Sequence, residues 1–128
     1  MIYLDSSVAL AHLLAEDRQP PERLWSEPLV ASRLLEYELW TWLHSRALAG
    51  SHADAARELC GRVMFLELIS EVLSRVREPF PLPVRTLDAL HLASFDFLHR
   101  QGLPLRLATY DDRMRLAAQR LAYPLYDI

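Results

Sequence analysis

The sequence predicts an α/β fold, a three-layer α/β/α sandwich around a central, mainly parallel sheet of four to five strands. Short apolar, β-prone runs alternate with longer helical patterns along the 128 residues, an order that gives parallel strands joined by crossover helices. The composition, 52% hydrophobic and 24% charged, is that of a globular chain of single-domain size. We therefore expect residues 1–128 to form one domain.

The first half of the chain opens with the apolar run Ile2–Leu4, which predicts a buried strand. The run stops at Asp5, Ser6 and Ser7, residue types that favour helix N-caps. A helix is predicted from Val8 to about Glu16. The further elements predicted in this half are a short helix ending at Trp25, a strand over Pro28–Ala31, a helix from Arg33 to Leu48 closed by Gly50, and a helix over Ala53–Met64.

The second half continues the alternation around one proline-rich loop at Pro79, Pro81 and Pro83. This loop is too short to link two domains. The elements predicted in this half are a strand over Phe65–Ile69, a helix over Ser70–Arg77, a helix over Thr86–Arg100 ended by Gly102, a strand over Leu105–Thr109, a helix over Asp112–Leu121 and a final short strand over Pro124–Tyr126.

The composition excludes several classes of chemistry. Every cation is arginine, because the chain contains no lysine, and this excludes Schiff bases, phosphate-loop lysines and lysine general bases. The lone Cys60 excludes disulfides within the chain and cysteine-based zinc sites.

No apolar run approaches the roughly 20 residues that span a bilayer, and Asp5 interrupts any signal-peptide core, so we expect a cytoplasmic protein without a membrane segment. The net charge of −3 gives no overall electrostatic footprint for nucleic acid.

Two acids directly follow predicted strands. Asp5 follows the first strand, and Asp111 lies two residues after the Leu105–Thr109 strand. In open α/β sheets, ligands bind in the crevice at the carboxyl ends of the strands. Each acid could instead cap the next helix. Because Ser6, Ser7 and Asp112 could provide the caps themselves, the first interpretation gains weight.

Two further acids lie on helix faces that are otherwise apolar. Glu38 shares a helix face with the apolar side chains Leu34, Leu35 and Trp42. A carboxylate on such an apolar stripe either belongs to a functional site or lies at the edge of the stripe and pairs with an arginine. Glu36 is offset from that stripe and is interpreted as surface charge.

Asp88 opens a helix that is apolar on nearly every side. The helix dipole alone would favour an acid in this first turn. His91 lies three residues further on, and a single histidine in such a helix is more often a hydrogen-bonded core residue than a ligand.

If these acids meet in one crevice, they require a cation. Three or four carboxylates within about 5 Å repel one another and protonate unless a positive charge neutralises them. Carboxylate ligands with water suit Mg²⁺ or Mn²⁺, and the absence of cysteine or HxxxH pairs argues against zinc. Such a site can polarise a phosphodiester and generate hydroxide near neutral pH.

Four segments in this order resemble motifs of the PIN-domain family, and specifically the VapC-type toxins of toxin–antitoxin pairs. In the second motif the family's acid lies six residues after the serine, which assigns Glu38 rather than Glu36. The third motif, with Asp88, is the most specific match, and Ala122-Tyr123 departs from the glycine turn of many relatives. The four segments are Met1–Ser7, Ser32–Trp40, Arg85–Ala93 and Leu107–Asp111.

This resemblance implies a metal-dependent endoribonuclease with a PIN-like sandwich. Asp5, Glu38, Asp88 and Asp111 would surround Mg²⁺ or Mn²⁺, with Asp5 and Asp88 as the firmest ligands. Asp111 would complete the shell or hold a second ion, and Glu38 would orient water or act as a base. Thr109 would position Asp111 through its hydroxyl, and Ser6 stands beside the first acid in a supporting role. The resemblance also implies a homodimer and a cognate antitoxin whose tail packs in an apolar groove and inserts a basic side chain among the acids.

Other functions fit the residues less well. A receiver-type signalling domain needs a lysine, and a haloacid-dehalogenase-type enzyme needs an aspartate where Ser7 stands. The alternative that stays open is a non-catalytic PIN-like module that binds protein or RNA.

Four arginines near the fourth acid could hold RNA phosphates, or they could form an ordinary solvated helix face. They are Arg106, Arg113, Arg115 and Arg120.

Overall fold

A four-stranded parallel sheet lies at the centre of the computed structural model, which describes residues 1–128. Its strands are β1 (Ile2–Leu4), β2 (Leu29–Ser32), β3 (Val63–Leu66) and β4 (Arg106–Ala108). They are ordered β3-β2-β1-β4, and all three pairings are parallel. The carboxyl ends of the strands therefore meet at one edge of the sheet, and the predicted α/β sandwich is confirmed.

Six α-helices connect and cover the strands. Two short 3-10 helices, Glu22–Ser26 and Arg75–Arg77, add to them. None of the helices is both long and apolar enough to cross a membrane. The α-helices are α1 (Ser6–Leu13), α2 (Leu34–Ser45), α3 (Ala49–Gly61), α4 (Ser70–Ser74), α5 (Thr86–Arg100) and α6 (Asp112–Arg120).

The alternation of side chains along β1 divides the core into two clusters. Ile2 and Leu4 pack on one face of the sheet with residues of α1, α2 and α3. Tyr3 lies on the other face with residues of α5 and α6. All three side chains are completely buried, as expected of a central strand that helices cover on both faces. This arrangement produces the three layers of the fold.

Two predicted boundaries in the middle of the chain are displaced. The helix predicted over Ala53–Met64 runs from Ala49 to Gly61, and β3 starts at Val63 and ends at Leu66 rather than covering Phe65–Ile69. Pairing with β2 accounts for this shift, because Leu29 lies opposite Val63 and the ladder continues from there. Strand boundaries follow the partner strand more than local propensity.

The predicted final strand over Pro124–Tyr126 is reduced to a single bridge between Leu125 and Leu107. The backbone N–H of Leu107 donates to the carbonyl of Pro124, and that of Tyr126 donates to the carbonyl of Leu107. Because no further pairing follows, the sheet has four strands, the lower number of the predicted range.

The turn after α6 has Ala122 in the left-handed region. Its φ is +57°, a conformation that costs an L-residue roughly 1–2 kcal/mol and costs glycine little. The alanine therefore keeps this turn at some cost in stability, which a glycine at this position would avoid.

Candidate active site

Asp5 is held at the carboxyl end of β1 by neighbours from two segments. Its backbone N–H donates to the carbonyl of Ala108 at 3.1 Å, which extends the β1–β4 pairing. Its Oδ2 accepts hydrogen bonds from Ser7 Oγ at 2.5 Å and Thr109 Oγ1 at 2.7 Å. The residue is 3% exposed. These side-chain bonds all fall on one carboxylate oxygen, so Oδ1 can serve a ligand.

Asp111 lies beyond β4 and is tied to Asp5 through Thr109. The buried Thr109 hydroxyl donates to Asp5 and accepts the backbone N–H of Asp111 at 3.0 Å. Asp111 Oδ1 in turn accepts the backbone N–H of Met114 at 2.8 Å. A single hydroxyl therefore links the two strand-end acids.

Both strand-end acids are themselves helix caps. Asp5 is the N-cap of α1, and Asp111 is the N-cap of α6. The alternative that each acid caps the next helix is therefore met, and Ser6, Ser7 and Asp112, which could have provided the caps, do not. Capping engages one oxygen of each carboxylate, so it fixes the orientation of both acids.

Glu38 reaches the same edge of the sheet from α2. Its Oε1 is hydrogen-bonded to His91 Nε2, and its Oε2 accepts a hydrogen bond from Ser6 Oγ at 3.3 Å. Ser6 therefore supports Glu38, while Ser7 contacts Asp5. Glu36 forms an ion pair with Arg33 at 2.9 Å and does not line the cavity described next.

An open cavity of about 390 Å³ lies among these elements. Three of the four predicted acids, Glu38, Asp88 and Asp111, line it. The pKa of Asp88 is raised, first by burial and then by the negative charges of Asp111 and Asp5. Asp5 is thus near enough to act electrostatically on the cavity although it does not line it. The four acids are neighbours at one edge of the sheet.

The four acids do not yet form a closed metal cage. The structure contains no group of three or more His, Cys, Asp or Glu side chains already arranged to hold a metal ion, so the expectation of one tight carboxylate pocket is not met. Two contacts account for this: Asp5 is turned toward Ser7 and Thr109, and Glu38 is held by His91. The donor set itself, oxygen atoms on carboxylates with a raised pKa among them, suits a hard divalent cation.

The comparisons with known proteins identify the family. The sequence model of the PIN domain matches residues 2–119, most of the chain. The chain belongs to the PIN-domain family. The resemblance seen in the sequence motifs is thereby confirmed.

Two relatives of this PIN domain come from Mycobacterium tuberculosis. Ribonuclease VapC46 (strain ATCC 25618 / H37Rv) is 36% identical over 124 residues, which cover 94% of this chain and 92% of that protein. The crystal structure of VapC20, a sarcin–ricin loop cleaving toxin, is 22% identical and superposes with a TM-score of 0.68 over 91% of this chain and 95% of that one. This second likeness confirms the fold.

The cavity of this PIN domain also carries two arginines. Arg113 was among the four predicted arginines and lines the cavity, and Arg85, which sequence reasoning missed, lines it as well. The other three bond elsewhere. Arg106 binds Glu27 at 2.5 Å, Arg115 donates to the carbonyl of Thr109 at 3.3 Å, and Arg120 donates to the carbonyl of Pro81 at 3.2 Å.

Arg85 and Arg113 lie at helix N-termini, where an arginine does not stabilise the helix. Arg85 is the N-cap of α5, and Arg113 is in the first turn of α6. Cations are disfavoured at helix N-termini, and neither arginine forms an ion pair within the chain. Arg85 stands three residues before Asp88 in the sequence. This position close to a motif acid is the signal that could have identified it.

An apolar groove adjoins the acidic cavity of this PIN domain. It encloses about 460 Å³ between α1, α2 and the start of α5, and Glu38 and Leu87 border both spaces. Tyr37 and Leu87 are 62% and 48% exposed, although large apolar side chains are usually covered. The groove is lined by Ser6, Leu10, Leu34, Tyr37, Glu38, Thr41, Trp42, Ser45 and Leu87.

Proposed function

We propose that this chain is a metal-dependent endoribonuclease that acts as the toxin of a VapBC-type toxin–antitoxin system. The observation that carries the proposal is the position of Glu38, Asp88 and Asp111 on an open cavity at the carboxyl edge of the sheet, with Asp5 beside them, in a chain 36% identical to Ribonuclease VapC46. PIN-domain VapC nucleases generally depend on divalent metals. Residues 1–128 act as one domain in this proposal.

The proposed ion is Mg²⁺ or Mn²⁺. Asp5, through Oδ1, and Asp88 would bind it, and Asp111 would complete the shell or hold a second ion. A bound divalent ion supplies Lewis acidity and neutralises charge in phosphodiester hydrolysis. Thr109 ties the Asp5 carboxylate to the backbone of Asp111, because its hydroxyl donates to the first and accepts the N–H of the second.

Glu38 has a different role in this proposal. One of its oxygens is bound to His91, and the other accepts only a long hydrogen bond from Ser6. A carboxylate held in this way suits a group that orients or deprotonates the attacking water. Ser6 limits its rotation.

The RNA backbone would be held by Arg85 and Arg113. Guanidinium groups bind phosphate in a fixed geometry, and these two line the cavity beside the acids. Two local cations of this kind would allow an acidic protein to bind a polyanion.

Removing either arginine is expected to weaken RNA binding without changing the chemical step. For Arg85→Ala or Arg113→Ala, KM should rise about 10- to 100-fold, since a charge-assisted hydrogen bond is worth about 1.5–3 kcal/mol. The slope of log KM against log salt should fall by about 0.7 for each arginine, and kcat should change little. Steady-state cleavage of a short RNA over a range of salt concentrations measures both quantities.

The matched control is Arg57→Ala, which removes an exposed arginine of α3 that pairs with Asp54. Its KM and salt slope should equal those of wild type. If all three variants behave alike, Arg85 and Arg113 do not contact the RNA backbone.

The proposed protein partner is a VapB-like antitoxin. Its tail would occupy the apolar groove and insert a basic side chain into the neighbouring cavity, where the charges of the acids favour a cation. We also propose, on the family resemblance, that the chain forms a homodimer and works in the cytoplasm.

The test of the function is a cleavage assay on RNA. Purified wild type with Mn²⁺ or Mg²⁺ is expected to cleave total RNA, and Asp5→Asn, purified in parallel, is expected to leave it intact. Asparagine can still cap α1, so the variant should fold. Equal cleavage by both preparations would indicate a contaminating nuclease, and absence of cleavage by wild type would favour the second candidate, a non-catalytic PIN-like module that binds protein or RNA.

A further inference from the structure

A row of hydrogen bonds crosses the centre of the protein behind the acidic cavity. The backbone N–H of Ser32 donates to Tyr3 Oη at 3.1 Å, Tyr3 Oη lies 3.0 Å from His91 Nδ1, and His91 Nε2 contacts Glu38 Oε1. The row therefore connects the end of β2, the middle of β1, helix α5 and helix α2.

The direction of the last bond follows from the chemistry of its acceptor. A carboxylate oxygen has no hydrogen to donate, so His91 Nε2 carries the hydrogen that faces Glu38 Oε1. Tyr3 Oη accepts the N–H of Ser32 and holds the other ring nitrogen, Nδ1, at 3.0 Å. The imidazole is therefore bonded at both of its nitrogens.

Packing alone does not account for the two ring side chains in this row. Tyr3 and His91 are 0% and 1% exposed and lie beside apolar residues such as Phe95. Buried polar groups cost free energy unless every one of them is bonded, and apolar side chains would fill this space without that cost. The one end of the row that leaves the core is Glu38, on the cavity wall.

We propose that His91 is a positioning residue whose Nε2–H, backed by Tyr3, fixes the Glu38 carboxylate through Oε1 and leaves Oε2 for water or ligand. The inference rests on the proposed ribonuclease function and deepens it. His91 touches no reacting atom in this proposal. Groups that orient a functional carboxylate in this way typically change activity or metal affinity 10- to 100-fold when removed.

Two isosteric substitutions separate this role from a merely structural one. In His91→Gln the amide nitrogen replaces Nε2 and keeps the donor to Glu38, but it loses the partner of Tyr3. In His91→Asn the amide group replaces Nδ1 and keeps the Tyr3 contact, but it loses the donor to Glu38. Each variant deletes one of the two bonds. We expect kcat to fall about 10- to 100-fold in His91→Asn and to stay within about fivefold of wild type in His91→Gln.

A double-mutant cycle provides the second readout. If His91 acts through Glu38, then adding His91→Asn to Glu38→Gln should lower kcat no further than Glu38→Gln alone. Equal kcat values for His91→Asn and His91→Gln, or losses that multiply in the double variant, would overturn the proposal. His99→Asn, on the same helix and stacked on Phe95, is the control for general damage to α5.

A measurement that does not depend on RNA cleavage tests this inference separately from the ribonuclease proposal. Nitrogen–proton correlation spectra of the histidine rings should show a proton on His91 Nε2, and its resonance should move upfield in Glu38→Gln. An unprotonated Nε2, or a resonance that Glu38→Gln leaves in place, would overturn the positioning role. If wild type cleaves no RNA and the spectra are as expected, the ribonuclease proposal alone fails.

Discussion

Asp88→Asn is expected to lower kcat for RNA cleavage at least about 100-fold while it raises the stability of the metal-free protein. Asp88 lines the cavity and is the acid of the most specific motif. Loss of one charged metal ligand removes several kcal/mol of transition-state stabilisation, and each 1.36 kcal/mol is a factor of ten in rate.

The gain in stability follows from the raised pKa of Asp88, which burial and the charges of Asp111 and Asp5 produce. A carboxyl whose pKa is higher in the folded than in the unfolded state destabilises the fold once pH exceeds both values. At neutral pH the ionised Asp88 therefore opposes folding, and a neutral asparagine removes that opposition.

Both effects can be measured on the same preparations. Initial cleavage rates with Mn²⁺ give the first, and urea unfolding in chelator gives the second. Asp112→Asn changes an exposed acid in the first turn of α6 and should leave cleavage unchanged. Full activity of Asp88→Asn would remove Asp88 from the proposed site.

Removal of divalent metal is expected to abolish cleavage and lower the melting temperature. The acids repel one another without a cation, so an ion that binds only the folded state stabilises it. That stabilisation is about 2.7 kcal/mol when the free ion is at 100 times its Kd. For wild type we expect Tm to rise by several degrees on adding Mn²⁺ to chelator-treated protein, and cleavage to return with it.

The same titration on Asp88→Asn provides the matched comparison. The variant has a weaker ligand set, so its Tm should respond little to Mn²⁺. Cleavage by wild type that persists in excess chelator would contradict the metal-dependent mechanism. An equal Tm response in both proteins would place the ion elsewhere.

The amino-acid sequence was sufficient for the fold class and the family, because both depend on regular patterns. The alternation of strands and helices predicts a parallel sheet, and the carboxyl ends of such strands must lie at one edge. The proximity of Asp5 and Asp111 therefore follows from their positions directly after two strands. The roles of all four acids stay predictions.

The partners of individual side chains could not be predicted. Ser6 and Ser7 are adjacent and chemically identical, yet one contacts Glu38 and the other Asp5. Which way each hydroxyl points depends on where α2 packs against α1, and no local pattern contains that information. The bond from His91 to Glu38 joins residues 53 positions apart for the same reason.

The order of the strands has a consequence for when the acidic edge can form. The central strand β1 is translated first of the four strands, but its neighbour β4 is translated after the other three. Asp5 is therefore made 104 residues before Thr109, whose hydroxyl binds its carboxylate. During that interval one side of β1 has no partner strand, and the four acids cannot come together until β4 is in place.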